Sequence, residues 1–253
     1  MEDNEYIDEF GAVYSEDRQF LLSVPDDIEK YEVAEGTLSI YTGAFWHCDK
    51  LEHVVIPESI DMIGDFAFNL CKSLSCVELP EGLTRIGASA FLGCENLVSV
   101  NLPDSLQAIG DHAFYRCESI EKVILPLGLR WLGKGVFAQC YSLEKLKFPA
   151  FIYEIPEEFC AGCVSLWKMK MPTSVISIGD RAFMNCDDLE MIWLSPTLAK
   201  IGEDAFYGCE NIKFVTVPMG QKEHFKKIID GHINSDYVLG EHKWLAEPRT
   251  DIN

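Results

Sequence analysis

A single spacing runs through most of the chain, because eight cysteines follow one another at intervals of 23 residues. They are Cys48, Cys71, Cys94, Cys117, Cys140, Cys163, Cys186 and Cys209. An isoleucine or leucine column begins at Ile40 with the same step, a glycine usually follows it, and a proline column begins at Pro57. Eight uninterrupted copies cover residues 40–223. A fixed period of this length predicts a solenoid, in which each coil buries its apolar side only against its neighbours.

The structure of one coil can be predicted from its residue pattern. In residues 74–80, Val77 and Leu79 alternate with variable positions, which is typical of a short, half-buried strand. Pro80 ends that strand because proline has no N–H to donate. The stretch Gly87 to Cys94 favours a single helical or 3₁₀ turn on the outer side of the coil. The predicted fold class is therefore an α/β solenoid with a parallel β-sheet and short helical turns outside it.

The repeated unit is Ile-Gly-x-x-Ala-Phe-x-x-Cys-x-x-Leu-x-x-Val-x-Leu-Pro, and it resembles the leucine-rich repeats of the BspA-like, or Treponema pallidum, type. The resemblance covers the whole array. It implies a right-handed leucine-rich repeat horseshoe with the parallel sheet on its inner face. It also implies kinship with bacterial surface proteins used in adhesion to host matrix or to other cells.

Two repeats depart from this pattern. Repeat six has Pro156 in place of glycine and Phe159-Cys160 in place of Ala-Phe, which indicates a repacked coil. Repeat seven has Ser195 in place of proline. Both departures are local, so the array is expected to continue through them.

The two ends differ from the array and are expected to cap it. Residues 1–39 carry 12 acidic and 2 basic side chains, a net charge of −10, and are predicted to form an acidic cap made of a hairpin and a degenerate half-repeat. Residues 224–253 are predicted to form a C-terminal cap and tail. A short helix over 221–230 and a last strand at 237–239 are expected there. Such caps would protect the open ends of the sheet.

The charge balance and the apolar pattern exclude several classes of protein. With 41 acidic against 21 basic side chains, the net charge of −20 argues against nucleic acid or a membrane surface as partner. No apolar run approaches the roughly eighteen residues of a transmembrane helix. The first residues do not resemble a signal peptide. The expected location is the cytoplasm if Met1 begins the natural chain, and the cell surface or the outside of the cell if a leader was removed.

The sequence also offers no enzymatic constellation. None of the six histidines falls in a recognised arrangement of nucleophile and base, and the glycines follow the repeat rather than a phosphate-binding pattern. Cys160 and Cys163 have CxxC spacing, but no second pair accompanies them, so neither a metal nor a redox site is expected. We therefore predict no catalytic residue, no metal and no cofactor. The cysteine column is expected to be a ladder of buried free thiols.

The candidate binding residues are the outward positions of the predicted strands, which alternate with the buried ones. Five of these positions in repeats four to six are lysines, and three apolar side chains follow. They are Lys122, Lys145, Lys147, Lys168, Lys170, Met191, Trp193 and Phe214. Residues 122–170 carry seven basic and four acidic side chains, a net charge of +3. This combination predicts a docking site for an acidic segment of a protein partner, with Trp193 and Phe214 as apolar anchors.

Other interpretations of the same residues remain open. The lysines could serve only solubility, and Trp193 and Phe214 could pack under the C-terminal cap. The acidic columns of the outer turns are expected to be a solvated coat. At the level of function, a non-enzymatic binding module is predicted. An intracellular scaffold without a single ligand face is the alternative, and a carbohydrate-binding module based on Trp167 and Trp193 is a weaker one. A monomer or a weak homodimer is expected.

Overall fold

The computed structural model describes residues 5–233 and 236–242. The chain forms a β-solenoid of stacked coils, each contributing one strand to each of two sheets and a segment of turns. In chain order the elements are β1 Tyr6–Ile7, β2 Val13–Tyr14, β3 Phe20–Ser23, β4 Lys30–Glu32, β5 Ser39–Ile40, β6 His53–Val55, β7 Met62–Ile63, β8 Cys76–Val77, β9 Arg85–Ile86, β10 Ser99–Val100, β11 Ala108–Ile109, β12 Lys122–Ile124, β13 Trp131–Leu132, β14 Lys145–Lys147, β15 Glu154–Ile155, β16 Lys168–Lys170, β17 Ser177–Ile178, β18 Met191–Trp193, β19 Lys200–Ile201, β20 Phe214–Pro218, α1 Lys222–Ile229 and β21 Val238–His242.

One sheet contains the strands that the sequence predicts, and we call it the lysine sheet. Its strands lie in the orders β4-β6-β8-β10-β12-β14 and β16-β18-β20-β21, all parallel within each block. Within the repeats each residue pairs with the one 23 positions further along, as Cys76 does with Ser99, whereas β20 and β21 pair at an offset of 24. Val77 is buried while Cys76 is exposed. The predicted half-buried parallel strand and the 23-residue coil are therefore confirmed.

A second sheet was not predicted. It is built from two-residue strands that end in the isoleucine column, as in Met62–Ile63 and Arg85–Ile86, and its strands also pair in parallel from coil to coil. Only one of the two residues in such a strand points inward. Alternation over so short a stretch leaves no periodic pattern, so the sequence predicts only one strand per coil.

The turns on the remaining side of the coil correct the prediction of helical or 3₁₀ turns. Ala67 donates its N–H to the Gly64 carbonyl in the same coil at 3.3 Å, whereas Phe66 and Phe68 donate to Ala88 and Ala90 of the next coil at 2.9 and 2.7 Å. Because donors alternate between the two coils, consecutive turn bonds never build a helix. Among the described residues α1 is the only helix. The predicted solenoid of stacked parallel coils is confirmed, but the coils are nearly all strand and turn, without the predicted helical turns.

Left-handed backbone conformations make this alternation possible. Two positions of each turn segment have positive φ in every repeat, for example Phe66 at 56° and Leu70 at 61°. Most of these positions are occupied by residues other than glycine, although such residues adopt this region at a cost in free energy. Since each such peptide is oriented toward the next coil, the inter-coil hydrogen bonds offset that cost.

The core between the sheets and the turns consists of stacked identical columns. The phenylalanine rings of successive coils lie nearly parallel, with centroids 5.1 Å apart for Phe68 and Phe91 and 5.2 Å for Phe91 and Phe114. In repeat six the stack changes: Phe159 lies edge-on to Phe137, with an interplanar angle of 86°. Cys160 occupies the phenylalanine column there and is fully buried. The repacking predicted for this coil is thus present.

The chain ends cover the outermost coils with elements of their own. At the N-terminus β2 and β3 form an antiparallel hairpin, and β4 pairs with β6 as the half-repeat. The Tyr31 hydroxyl donates a hydrogen bond to Asp8 Oδ2 at 2.6 Å. The hydroxyl oxygens of Tyr14 and Tyr31 lie 2.7 Å apart, within hydrogen-bond distance. At the other end α1 buries Phe225 and Ile229, and β21 extends the lysine sheet beside β20. The predicted tail from residue 243 onward lies outside the described residues.

Both sheets are interrupted at the same junction, between β13 and β15 and between β14 and β16. The cause lies in the glycine column: a Cβ added at Gly87 or Gly110 would lie 2.5 Å from a backbone nitrogen of the preceding coil. Pro156 places a ring in that column and also lacks the N–H through which Gly133 and Gly179 bond to the preceding coil. The coils stay connected through their turns, since Phe137 donates to the Phe159 carbonyl at 2.9 Å.

Candidate protein-interaction face

The five predicted lysines lie on three neighbouring strands of the lysine sheet, and all five are exposed. We call this set the lysine face. Lys122 pairs directly with Lys145 in the register of β12 and β14, and Ile124 pairs with Lys147. Neighbouring parallel strands are about 4.8 Å apart, so the ammonium groups repel one another and favour an anionic neighbour.

The junction between β14 and β16 divides the lysine face into two blocks. Lys122, Lys145 and Lys147 belong to the first block, and Lys168 and Lys170 begin the second. Within the second block, Lys168 pairs with Met191 and Lys170 with Trp193. The structure therefore brings the predicted residues onto one sheet surface, but with a break in the hydrogen-bond ladder between the two blocks.

The three apolar residues predicted beside the lysines differ in exposure. Met191 and Trp193 are half-buried on β18, whereas Phe214 on β20 is exposed. Phe214 pairs with Val238 of β21, so the C-terminal strand lies beside it and extends the sheet. Packing of Phe214 beneath the C-terminal cap, one of the alternatives above, is not what the structure shows. Of these three apolar residues, Phe214 is the most exposed.

Few carboxylates neutralise the lysine face. Within the described residues, Lys122, Lys145 and Lys147 form no ion pair with a carboxylate. Lys168 lies over the ring of Trp167, with its Nζ 4.3 Å from the ring centroid, and this contact is a cation–π interaction. The lysine face is thus a cationic surface in a strongly acidic protein.

An acidic depression of about 430 Å³ borders the lysine face. It is lined by Glu144, Ser165, Trp167, Asp188 and Glu190. Lys213 donates a hydrogen bond to Glu190, and Lys168 covers part of Trp167. Trp167 and Trp193 are both half-buried, which leaves little open ring surface for the stacking that a sugar would need.

The eight column cysteines are buried, and their thiols make hydrogen bonds that the sequence analysis missed. The Sγ of Cys94, Cys117 and Cys140 donates to the carbonyl oxygen of the phenylalanine 26 positions earlier, at 3.1 to 3.2 Å. Burial raises the pKa of Cys94, Cys117, Cys140 and Cys186. These thiols therefore remain protonated donors, and the column acts as a set of ties between coils.

The CxxC pair behaves like the rest of the column. Cys160 and Cys163 are both free and buried, and burial raises the pKa of Cys160. A reactive pair would need a lowered pKa and access to solvent. Among residues 5–233 and 236–242, no three side chains of histidine, cysteine, aspartate or glutamate are grouped so that they could hold a metal ion.

The acidic column of the turns has a structural role that its sequence did not reveal. The Oδ1 atoms of Asp65, Asp111 and Asp180 accept hydrogen bonds at 2.8 to 2.9 Å from backbone N–H groups 23 residues later. Each carboxylate therefore connects two coils, whereas a solvated coat was expected. The sequence feature that could have predicted this role is the position of these aspartates directly after the glycine column. Aspartate side chains often accept hydrogen bonds from nearby backbone N–H groups.

Fold and surface together define a class, the β-solenoid repeat proteins, whose stacked coils offer a broad sheet surface. Within that class, the BspA type leucine rich repeat region matches residues 38–163 and 153–229 in 6 copies. The chain therefore belongs to the BspA type leucine-rich repeat family. A search of curated proteins finds no match.

Solved structures of similar proteins agree with this family. The leucine-rich repeat protein of T. pallidum is 25% identical, covers 92% of this chain and 98% of its own length, and has a TM-score of 0.60. A leucine-rich cell surface protein of Faecalibacterium prausnitzii is 26% identical, with 80% and 63% coverage and a TM-score of 0.53. The chain thus spans 63% of the length of that protein. The pneumococcal vaccine antigen PcpA, at 21% identity and a TM-score of 0.55, shares the fold.

The comparisons and the structure also bear on catalysis and location. The matched family is a repeat family, and no catalytic family is matched. Within the described residues, no helix is both long enough and apolar enough to cross a membrane. One similar protein is described as a cell surface protein.

Proposed function

We propose that the chain is a non-enzymatic protein-interaction module that binds an acidic segment of a partner protein through the lysine face. The observation that carries the proposal is the placement of exposed lysines on the neighbouring strands β12, β14 and β16, with Lys122 and Lys145 in register. An extended acidic segment lying across these strands would meet a lysine on each of them. Phe214, on β20 of the same sheet, would hold an apolar side chain of the partner.

The distribution of charge supports an acidic partner. Residues 122–170 have a net charge of +3, while the whole chain has −20. A partner with a negative segment is therefore attracted to this face and repelled elsewhere, which would fix its orientation. Residues 1–39 and 224–253 would act as caps that keep the eight-repeat array soluble and leave the face open.

The location of the protein in the cell is also part of this proposal, and it rests on the similar proteins. A role in adhesion or in contact with a host or another cell is supported by the cell surface protein of F. prausnitzii. On that basis we favour the cell surface over the cytoplasm. A scaffold without a ligand face has less support, because a scaffold does not need five exposed lysines gathered on one sheet surface.

The test replaces all five lysines of the lysine face with glutamate. The probe is a fluorescently labelled peptide of alternating glutamate and leucine, with a glutamine version as neutral control. Binding is measured by anisotropy at about 0.1 and 1 M NaCl, where the screening length falls from about 10 to 3 Å. Since exposed ion pairs contribute about 0.2–1 kcal/mol each, we expect the five substitutions to weaken binding by at least about fivefold.

A matched control carries the same change in charge at other exposed lysines. These are Lys50, Lys72, Lys200, Lys226 and Lys227. The control variant should keep most of the affinity, and circular dichroism should show both variants folded. Equal loss in the two variants would show that total charge, and not the lysine face, governs binding. Affinity that is equal for the glutamate and glutamine peptides would also overturn the proposal.

A further inference from the structure

The interrupted junction between repeats five and six is bonded on the turn side of the coil and has no ladder in either sheet. The two gaps lie between β13 and β15 and between β14 and β16. On the turn side, Gly135 donates its N–H to the Glu157 carbonyl at 2.9 Å, and Gln139 donates to Ala161 at 2.7 Å. The coils before and after the junction are therefore joined along one line.

The hydrogen bond that leads into each strand of the lysine sheet is also missing at this junction. Glu144 donates its N–H to Glu121, and Glu190 donates to Trp167, both at 2.9 Å. Trp167 makes no such bond to Glu144, although it occupies the same position of the coil. The depression of about 430 Å³ lies here, with Glu144 on one side of the junction and Trp167 on the other.

The second sheet shows the same loss. Arg130 donates its N–H to Gln107 at 2.8 Å, and Ile176 donates to Tyr153 at 2.7 Å. Tyr153 occupies the equivalent position at the junction and makes no such bond to Arg130. The two sheets therefore lose the same hydrogen bonds between the same two coils.

The aromatic stack of the core changes at the same place. Phe114 and Phe137 are stacked with an interplanar angle of 10°, and Phe183 and Phe206 with an angle of 7°. Between these pairs, the ring of Phe159 lies edge-on to Phe137. The regular ring stacking of the core therefore does not continue across the junction.

Side chains reinforce the turn side of the junction. The Nζ of Lys134 lies 3.0 Å from Glu157 and 3.6 Å from Glu158. The Cys163 thiol donates a hydrogen bond to the Phe137 carbonyl at 3.0 Å. These contacts join the same two coils as the backbone bonds of the turns, so the turn side holds when the sheet sides separate.

We propose that this junction is a hinge, about which the coils up to β14 and the coils from β15 onward open on their sheet sides. Each coil of a solenoid contacts only its neighbours, so an interface without ladders opens at the lowest cost. Opening also lets water bond to the backbone groups that the two sheets leave unpaired. Pro156 maintains the hinge, because it has no N–H with which to close the ladder of the second sheet.

The hinge divides the lysine face, and its role in binding rests on the function proposed above. Lys122, Lys145 and Lys147 lie before the junction, and Lys168 and Lys170 lie after it. Opening separates these two groups, whereas an acidic segment bound across both of them holds them together. Because such a partner binds the closed form better, it shifts the chain toward that form.

The experiment measures the distance between two spin labels across the hinge by double electron–electron resonance. One label is on Cys76, the exposed cysteine, and the other is on Val238→Cys, at an exposed position of β21. The two positions lie in one column of the lysine sheet, about seven strand spacings or roughly 34 Å apart. We expect a broad distribution of distances in the free chain. It should narrow in Pro156→Gly, and also when the glutamate–leucine peptide is added to the native sequence.

A control pair of labels lies entirely before the junction. It consists of Lys30→Cys and Lys145→Cys in a Cys76→Ser chain, about five strand spacings or roughly 24 Å apart in the same column, and it is measured without peptide. Its distribution should be narrow and unchanged by Pro156→Gly. A pair across the junction that is as narrow as this control would overturn the hinge, and so would equal breadth in the native sequence and in Pro156→Gly.

The peptide separates the hinge from the function of the lysine face. If the glutamate–leucine peptide binds by anisotropy and the distribution stays broad, the role of the hinge in binding is overturned while the proposed function stands. If the peptide does not bind, the proposed function is overturned, and the distances in the free chain still decide whether the hinge exists. The glutamine peptide should leave the distribution broad.

Discussion

The thiol of Cys117 donates a hydrogen bond to the carbonyl oxygen of Phe91, 3.1 Å away and 26 residues earlier in the chain. Both residues are fully buried. The Phe91 carbonyl also accepts from the Cys94 N–H of its own coil at 3.2 Å. The same relationship recurs in neighbouring coils, so a residue that packs as a small hydrophobe also adds a hydrogen bond between coils. This double role leads to a direct prediction about substitution.

We expect Cys117→Ala to destabilise the solenoid by about 1–3 kcal/mol, because it removes the donor and leaves a small void. Cys117→Ser restores a donor of smaller size and should lose less. Urea denaturation followed by circular dichroism measures the difference. Cys76→Ala is the control: Cys76 is exposed, so its substitution should change the midpoint little. A Cys117→Ala midpoint equal to that of Cys76→Ala would contradict the prediction.

Reaction with a thiol reagent should separate the cysteines by burial. Cys76 is exposed and the other nine cysteines are buried. We therefore expect one thiol to react quickly in the native protein and all ten to react in denaturant. Absorbance of the released chromophore counts the thiols directly. Fast reaction of Cys160 or Cys163 in the native state would instead reveal an accessible pair.

The same burial predicts how stability depends on pH. The pKa values of Cys94, Cys117, Cys140 and Cys186 are raised, so the folded protein keeps these protons while the unfolded chain releases them above about pH 8.5. The unfolded state then binds fewer protons, and the free energy of unfolding should fall as pH rises past that value. Urea midpoints at pH 7, 8, 9 and about 9.5 test this. Serine at all four positions should flatten the dependence.

The junction between repeats five and six should respond to a single substitution. Pro156→Gly restores an N–H and removes the ring from a column where glycine is otherwise usual. We expect the ladder between β13 and β15 to close and the Glu154 and Ile155 amides to exchange more slowly with deuterium. Hydrogen exchange with mass spectrometry resolves this segment. Exchange that stays as fast as in the native chain would mean that Pro156 does not cause the interruption.

The opposite substitution should damage an intact junction. A Cβ at Gly110 would lie 2.5 Å from the Ala88 nitrogen, which is backbone and cannot move aside without shifting a coil. Gly110→Ala should therefore destabilise the protein by about 2 kcal/mol or more, although alanine suits most backbones better than glycine. Gly36→Ala is an informative comparison, since Gly36 has open space but positive φ, so strain acts there without a clash. A smaller loss for Gly110→Ala than for Gly36→Ala would refute the packing argument.

The repeated residue columns of the fold could be predicted from the sequence, but the direction of the backbone hydrogen bonds could not. The cysteine, isoleucine and phenylalanine columns predicted the stacked coil because burial alone sets their composition. Gly87 to Cys94 was expected to form a single helical or 3₁₀ turn, since apolar spacing does not record that Ser89 donates its N–H to Asp111 of the next coil. The short strand Met62–Ile63 was also missed, because two residues carry no period.

The candidate site was predictable in part for the same reason. Alternation along Lys145–Lys147 put both lysines outside and Leu146 toward the core, and the structure agrees. The alternation of buried and exposed residues could not show that β14 and β16 do not pair, because that interruption arises from Pro156 on another side of the coil. Nor could composition separate Phe214, which is exposed, from Trp193, which is half-buried.

The 23-residue offset of the inter-coil hydrogen bonds has a kinetic consequence. All-β proteins usually fold slowly because their strands join distant parts of the chain. Here each bond between coils spans only about a tenth of the chain length, a relative contact order of about 0.1 and within the range of helical bundles. A chain built almost wholly from strands and turns should therefore begin to fold wherever two coils meet, and should grow from there one coil at a time.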